Sequence, residues 1–295
     1  MSGESEKPCF LFSGRLRAKT RPPMRHSYFC VRSGAVGERT PLARAKAAEA
    51  NLHSMWRRRA EQNAKCRAES AGPGEGDGPL RVLSVGEACD RVPEPFSVLA
   101  CAWQRGHFLL ALHCGSCAAK RPTLIADAAK AANEATKRVR SALFPQDGEA
   151  PLPYKLLFLF VHDFPRPRQG LDGSAFLALS KHQKQAVFGL QSDGARMQGP
   201  VRLQVEVWHM DELQYDIAAP GMLQGIVPVQ RKATHLEIRN DITHGKLRKL
   251  HVSDLPRAKG DDAMVRWLGL RAGDVLRSER PNGTVHYRVV QGESM

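Results

Sequence analysis

Cys114 and Cys117, in the run HCGSC, have the spacing of half a metal knuckle or of a redox dithiol, and they directly follow an apolar stretch. With Cys101, His107 and His113 they form the densest group of soft ligands in the chain. Structural zinc takes four ligands, usually as two paired knuckles, and no second Cys-x-x-Cys lies downstream. A thioredoxin-type dithiol precedes a helix inside its own fold, and only part of that setting is present here. Small buried residues at a sheet edge are the plainer reading, and no metal is expected. Hydrolysis assisted by a divalent cation would need clustered carboxylates. The stretch His107–His113 has none, and Asp163 lacks an acidic-x-Lys run nearby. His251 and His286 stand alone, and neither a Ser/His/Asp set nor a phosphate-cradling glycine loop is visible. No catalytic residue, cofactor or small-molecule substrate is therefore expected. Trp56-Arg57-Arg58-Arg59 could serve as a nuclear-import signal or touch phosphates, with a solvated helix face as the alternative.

The elements that must position these residues are read from periodicity. Pro41 to Glu69 is rich in Ala, Glu, Lys and Arg and predicts helix, with Leu42, Leu52, Met55 and Trp56 as its large apolar residues. Ser97–Trp103 and His107–His113 predict a strand hairpin. Ile125, Ala128, Ala132, Ala135, Val139 and Leu143 recur every three or four residues, a small-residue stripe that would let a helix lie close to a sheet. Leu156–Val161 is apolar throughout, as in a strand covered on both faces. A weaker helix, Ser180–Leu190, turns Ala186, Val187 and Leu190 inward. Val201–Trp208 alternates, so Arg202, Gln204 and Glu206 are expected on a wet face. The order is β-β-α-β-α-β. Residues 209–254 are poorly patterned, and a short helix ending at Gly269 and a hairpin at Pro281-Asn282-Gly283 follow.

Charge is uneven along the 295 residues, which carry a net +14. Residues 1–70 hold 15 Lys+Arg against 6 Asp+Glu, residues 221–295 hold 13 against 8, and the two middle stretches balance. A central basic DNA cleft is thus not expected, whereas the first 45 residues read as a disordered basic arm. Seven cysteines without framework spacing, and no apolar signal core, predict a reducing compartment. The Arg-rich start has something of a transit peptide, with Glu4 and Glu6 against it. No apolar run is long enough for a membrane span. The breaker Ala71–Pro79 divides an extension, residues 1–79, from an α/β domain, 80–210, and a C-terminal α+β domain, 211–292.

The stretch LPRAKGDDAMVRWLGLRAGDV, Leu255 to Val275, resembles the C-terminal domain of the H family of RNA polymerase subunits. That family comprises the archaeal H-type chain and the eukaryotic common subunit of polymerases I, II and III. The matching positions are Leu255, Pro256, Arg257, Asp262, Arg266, Trp267, Gly269 and Gly273, followed by Arg280-Pro281 and Tyr287-Arg288. Gly269 suits a helix C′ position and Gly273 a turn, while Pro256 suits a first helical turn. Arg266 and Arg288 could pair with carboxylates of this chain or another. The family's Asp-Pro is Asp262-Ala263 here, and of its domain-opening signature only Glu212 and Leu213 remain.

The resemblance implies a diverged eukaryotic-type member, with a restriction-endonuclease-like jaw over 80–210 and an assembly domain over 211–292. It implies a non-catalytic, nuclear polymerase subunit, nucleolar if it serves polymerase I. Its partners would be the largest subunit and other polymerase subunits, with downstream duplex DNA contacted weakly. A free-standing nucleic-acid-binding factor on the same fold is the alternative.

Overall fold

The structure, a computed structural model, describes residues 40–71, 81–82, 92–104, 107–143, 154–165, 178–196, 201–219, 229–243 and 254–291. Residues 38–295 make one compact unit. The arm of residues 1–39, the glycine-rich segment 72–79, Cys9, Cys30, Cys89 and His251 lie outside the described residues.

Two mixed sheets carry the fold. The first comprises β1 (Arg81–Val82), β2 (Phe96–Gln104), β3 (His107–Cys114), β4 (Tyr154–His162) and β5 (Val201–His209), in that spatial order. The pairings β1–β2 and β2–β3 are antiparallel, whereas β3–β4 and β4–β5 are parallel. Helix α1 (Pro41–Ala71) precedes the sheet, α2 (Leu124–Leu143) crosses from β3 to β4, and α3 (Lys181–Arg196) crosses from β4 to β5. The predicted pairing of β2 with β3, the crossover helices and the order β-β-α-β-α-β are present from β2 to β5, and the short edge strand β1 is an addition to that expectation.

β4 explains why its sequence is apolar throughout. Leu156, Phe158 and Phe160 face one core, with Phe108, Leu110 and Leu112 of β3 and the alanine stripe of α2. Leu157, Leu159 and Val161 face a second core, closed by Ala48, Leu52, Met55 and Trp56 of α1. Strand alternation delivers successive side chains to opposite faces, and here both faces are dry.

The second core corrects two expectations. Helix α1 belongs to the folded unit: Leu52 and Met55 are completely buried, so the stretch before residue 70 has substantial apolar surface to bury. Nor is the second face of β5 wet. Trp208 is buried there, and the Glu206 carboxylate lies beneath α1, where it meets a guanidinium. Alternation identified the two faces of β5 correctly; a charged partner carried on a distant helix made the polar face buriable.

The second sheet is built from β6 (Val229–Lys232), β7 (Arg257–Ala258), β8 (Val275–Glu279) and β9 (Val285–Val290), ordered β6-β8-β9-β7. Helix α4 (His235–Thr243) follows β6, so the poorly patterned region does contain structure, and α5 (Ala263–Trp267) lies between β7 and β8. One face packs Val275 and Tyr287 against Ile238 and Leu255, and the other packs Leu276 and Val290 against Val265 and Leu268. Among the described residues no helix is long and apolar enough to cross a membrane.

Candidate assembly surface

The C-terminal module is specified by a helix of barely more than one turn. Asp262 caps α5, its carboxylate accepting from the backbone N–H groups of Met264 (2.9 Å) and Val265 (3.3 Å). Ala263, not Pro, follows Asp262, and the cap needs only the Asp side chain. At the other end Gly269 has φ +64°, its N–H donates to Arg266 O at 2.9 Å, and Leu270 N–H donates to Val265 O at 3.0 Å. These two bonds form a Schellman stop, and Leu270 packs against the apolar cluster that contains Val265. Gly273, at φ +87°, turns the chain into β8.

The positions that carry the resemblance divide into two sets. Leu255, Trp267 and Tyr287 are buried within this chain and therefore hold the module together instead of facing a partner. Trp267 packs edge-on to Trp208 with ring centroids 6.0 Å apart, and the Tyr287 hydroxyl donates to Asp241. Burial pushes the Tyr287 phenol up to about 12, and the neighbouring Asp241 adds to this. Arg266 is also engaged internally. It lies 4.1 Å above the Trp208 ring, donates to Val207 O and approaches Glu212 at 3.4 Å. Glu212 and Leu213 thus sit beside the C-terminal motif, with Leu213 fully buried.

The second set faces outward. Pro256, Arg257, Arg280 and Pro281 are exposed, and Arg288 is half-buried. Pro256 does not start a helix as expected. It precedes β7, and its carbonyl accepts from Val289 N–H at 2.9 Å, tying the short edge strand to β9. Arg257, Arg280 and Arg288 make no ion pair among the described residues.

Helix α1 connects this module to the first sheet. Arg59 places its guanidinium on the Glu206 carboxylate in two bonds of 2.9 and 3.0 Å, and donates from Nε to Trp267 O at 3.0 Å and from Nη2 to Arg266 O. Burial pushes the Glu206 carboxyl up, but Arg59, Trp208 Nε1–H and Arg266 outweigh it and hold it below the ordinary range. Further contacts run along the helix: Arg44 bridges Asp163 and Asp211, Ser54 and Arg58 bind Asp216, and Lys65 reaches Glu237 at 3.1 Å.

The expectation for Trp56-Arg57-Arg58-Arg59 is therefore corrected. Trp56 and Arg59 are buried, Arg58 is paired to Asp216, and only Arg57 is exposed. Leu52, Met55, Trp56 and Arg59 fall at intervals of three, one and three on one helix face, a spacing that placed Arg59 with the apolar stripe. What the spacing could not identify was its partner, Glu206.

The sulfur and histidine group is not gathered into a site. Cys101 pairs across the sheet with Leu110, and His107 lies at the opposite end of β3 from Cys114. Burial pushes the Cys114 thiol up to about 12, whereas Cys117 is exposed. His113 Nε2 lies 2.9 Å from Asp163 Oδ2, and this bond, despite partial burial, keeps the Asp163 carboxyl below its ordinary range. Among the described residues no three His, Cys, Asp or Glu side chains are arranged to hold a metal ion. Neither a scan against protein-family models nor a search of curated proteins finds a match for this chain.

Proposed function

We propose that this chain is a non-catalytic structural subunit of a nuclear DNA-directed RNA polymerase. The module of β6–β9 binds the largest subunit, and the β-β-α-β-α-β layer serves as a restriction-endonuclease-like jaw near downstream DNA. One observation supports this most. The positions that carry the resemblance to the H family include a buried set that builds the module and an outward set whose Arg257, Arg280 and Arg288 have no carboxylate partner among the described residues. Cations without an internal partner suit an acidic rim on another protein, where they set register and partner choice.

The test is affinity purification of the tagged full-length chain at high salt, with identification of the recovered chains. The largest polymerase subunit should be recovered with wild type and lost with Arg257→Glu/Arg288→Glu, while the thermal transition stays put. Absence of every polymerase chain from the wild-type sample would sink the reading and leave the alternative of a free-standing nucleic-acid-binding factor.

A further inference from the structure

The middle of the sequence is charge-balanced, yet the fold brings two of its basic segments together. Lys120 and Arg121 follow the 3-10 turn Ser116–Ala118 after β3, and Lys181 and His182 open α3. Gln183, only 1% exposed, clamps the segments together. Its amide donates to Ala119 O (3.1 Å) and Arg121 O (3.0 Å), while its Oε1 accepts from Ser180 N–H at 2.9 Å. Lys120, Arg121, Lys181 and His182 are all exposed, and none of their side chains has an ion-pair or hydrogen-bond partner among the described residues. Asp127, on the first turn of α2, is held by the Thr123 hydroxyl at 2.9 Å. Both basic segments follow the carboxyl ends of the adjacent parallel strands β3 and β4, the end at which open α/β sheets receive ligands.

We propose that this Gln183-clamped patch binds the phosphate backbone of duplex nucleic acid, without sequence preference. The occupant follows from charge and from what the patch lacks. A protein partner would require an apolar or aromatic centre, and among the described residues none of the exposed large hydrophobics, Leu42, Phe188, Tyr215, Val229 and Leu236, is a member of the patch. A single strand would require a series of aromatic rings on which successive bases stack, and the patch supplies one ring, that of His182. Fixed cations on two clamped segments are enough for phosphates. The proposal deepens the jaw's contact with DNA and rests on that reading, but its test is independent of assembly.

The experiment measures binding of the full-length protein to a mixed-sequence duplex of about one and a half to two helical turns, by anisotropy across a salt series. Lys120→Gln/Arg121→Gln/Lys181→Gln should weaken binding at low salt by at least about tenfold, and should flatten the log–log salt slope by roughly one for each cation removed. Lys46→Gln/Lys137→Gln/Lys259→Gln removes equal charge elsewhere and should have a clearly smaller effect. The cations of residues 1–37 are common to both variants and cancel. Equal losses in the two variants, or none in the first, would overturn the proposal. So would poly-glutamate binding as tightly as the duplex, since the patch would then be a site for acidic protein. Loss of duplex binding with polymerase recovery intact would leave the assembly reading untouched.

Discussion

Arg59 and Gly269, far apart in the chain, are in direct contact: a Cβ on Gly269 would stand 2.8 Å from Arg59 Nε and 3.0 Å from its Cδ and Cζ. A free arginine would swing aside. This one is pinned by Glu206 and by the Trp267 and Arg266 carbonyls. The glycine is therefore required twice, for its left-handed φ and for its missing side chain.

Gly269→Ala should cost stability through both terms. Left-handed backbone at a non-glycine residue costs about 1–3 kcal/mol, and displacing the pinned guanidinium adds to that. In an Arg59→Ala background only the backbone term remains, so the same substitution should cost less. Urea unfolding of the four proteins of this cycle gives the coupling directly; additive costs would show that Arg59 yields freely.

Breaking the buried pair should be more damaging than replacing both of its members. Arg59→Ala leaves the Glu206 carboxylate buried beside Trp208 without its main cation, a loss of about 3–5 kcal/mol for such pairs. Arg59→Met with Glu206→Gln should recover part of that loss, because no isolated charge remains. Thermal unfolding ranks the variants, and equal transition temperatures for Arg59→Ala and the double variant would refute it.

Truncation separates the two parts of the basic extension. Removing residues 1–37, which lie outside the compact unit 38–295, should leave the unfolding transition unchanged. Removing residues 1–71 strips Leu52, Met55, Trp56 and Arg59 from the second core and should abolish cooperative unfolding. A cooperative transition in the shorter protein would show that α1 is dispensable.

Acid should weaken the molecule in a defined window. Burial acts to raise the Glu237 carboxyl, but bonds from Arg231, Thr234 N–H and Lys65 outweigh it and hold it at about 2. A carboxyl depressed on folding contributes its stability above its unfolded value, and loses it as pH falls through the folded one. The contribution of Glu237 should thus be complete above about pH 4.5 and fade toward pH 2. Glu237→Gln should lower stability at pH 7, and the difference from wild type should shrink across that range. A difference that is constant with pH would refute it.

Thiol accessibility should follow burial. Iodoacetamide at pH 8 should label Cys117, while Cys101 and Cys114 react only after denaturation. Peptide mapping by mass spectrometry reads this. Fast labelling of Cys114 in the folded protein would contradict its burial and its thiol near 12.

Local signals in the sequence determined most of the longer elements, though not β1, β6, α4 or β7. Period-2 and period-3.6 patterns found β2 to β5, α2 and α3, because each element buries a face and its spacing records which one. The end of α5 was legible at Gly269 because few other residues tolerate that backbone. What only the tertiary structure decided were the relations between distant segments. Arg57-Arg58-Arg59 read as a basic run, but whether a guanidinium faces solvent depends on whether a carboxylate waits beneath it. Glu206 supplied that carboxylate from another element. Likewise the alternation of β5 showed two faces without showing that α1 would cover the polar one. A charge-balanced stretch gave no hint that Lys120–Arg121 and Lys181–His182 would lie side by side, since composition averages along the chain while Gln183 joins segments across it. One-dimensional patterns report burial of a residue's own element, and they hold no record of which partner completes it.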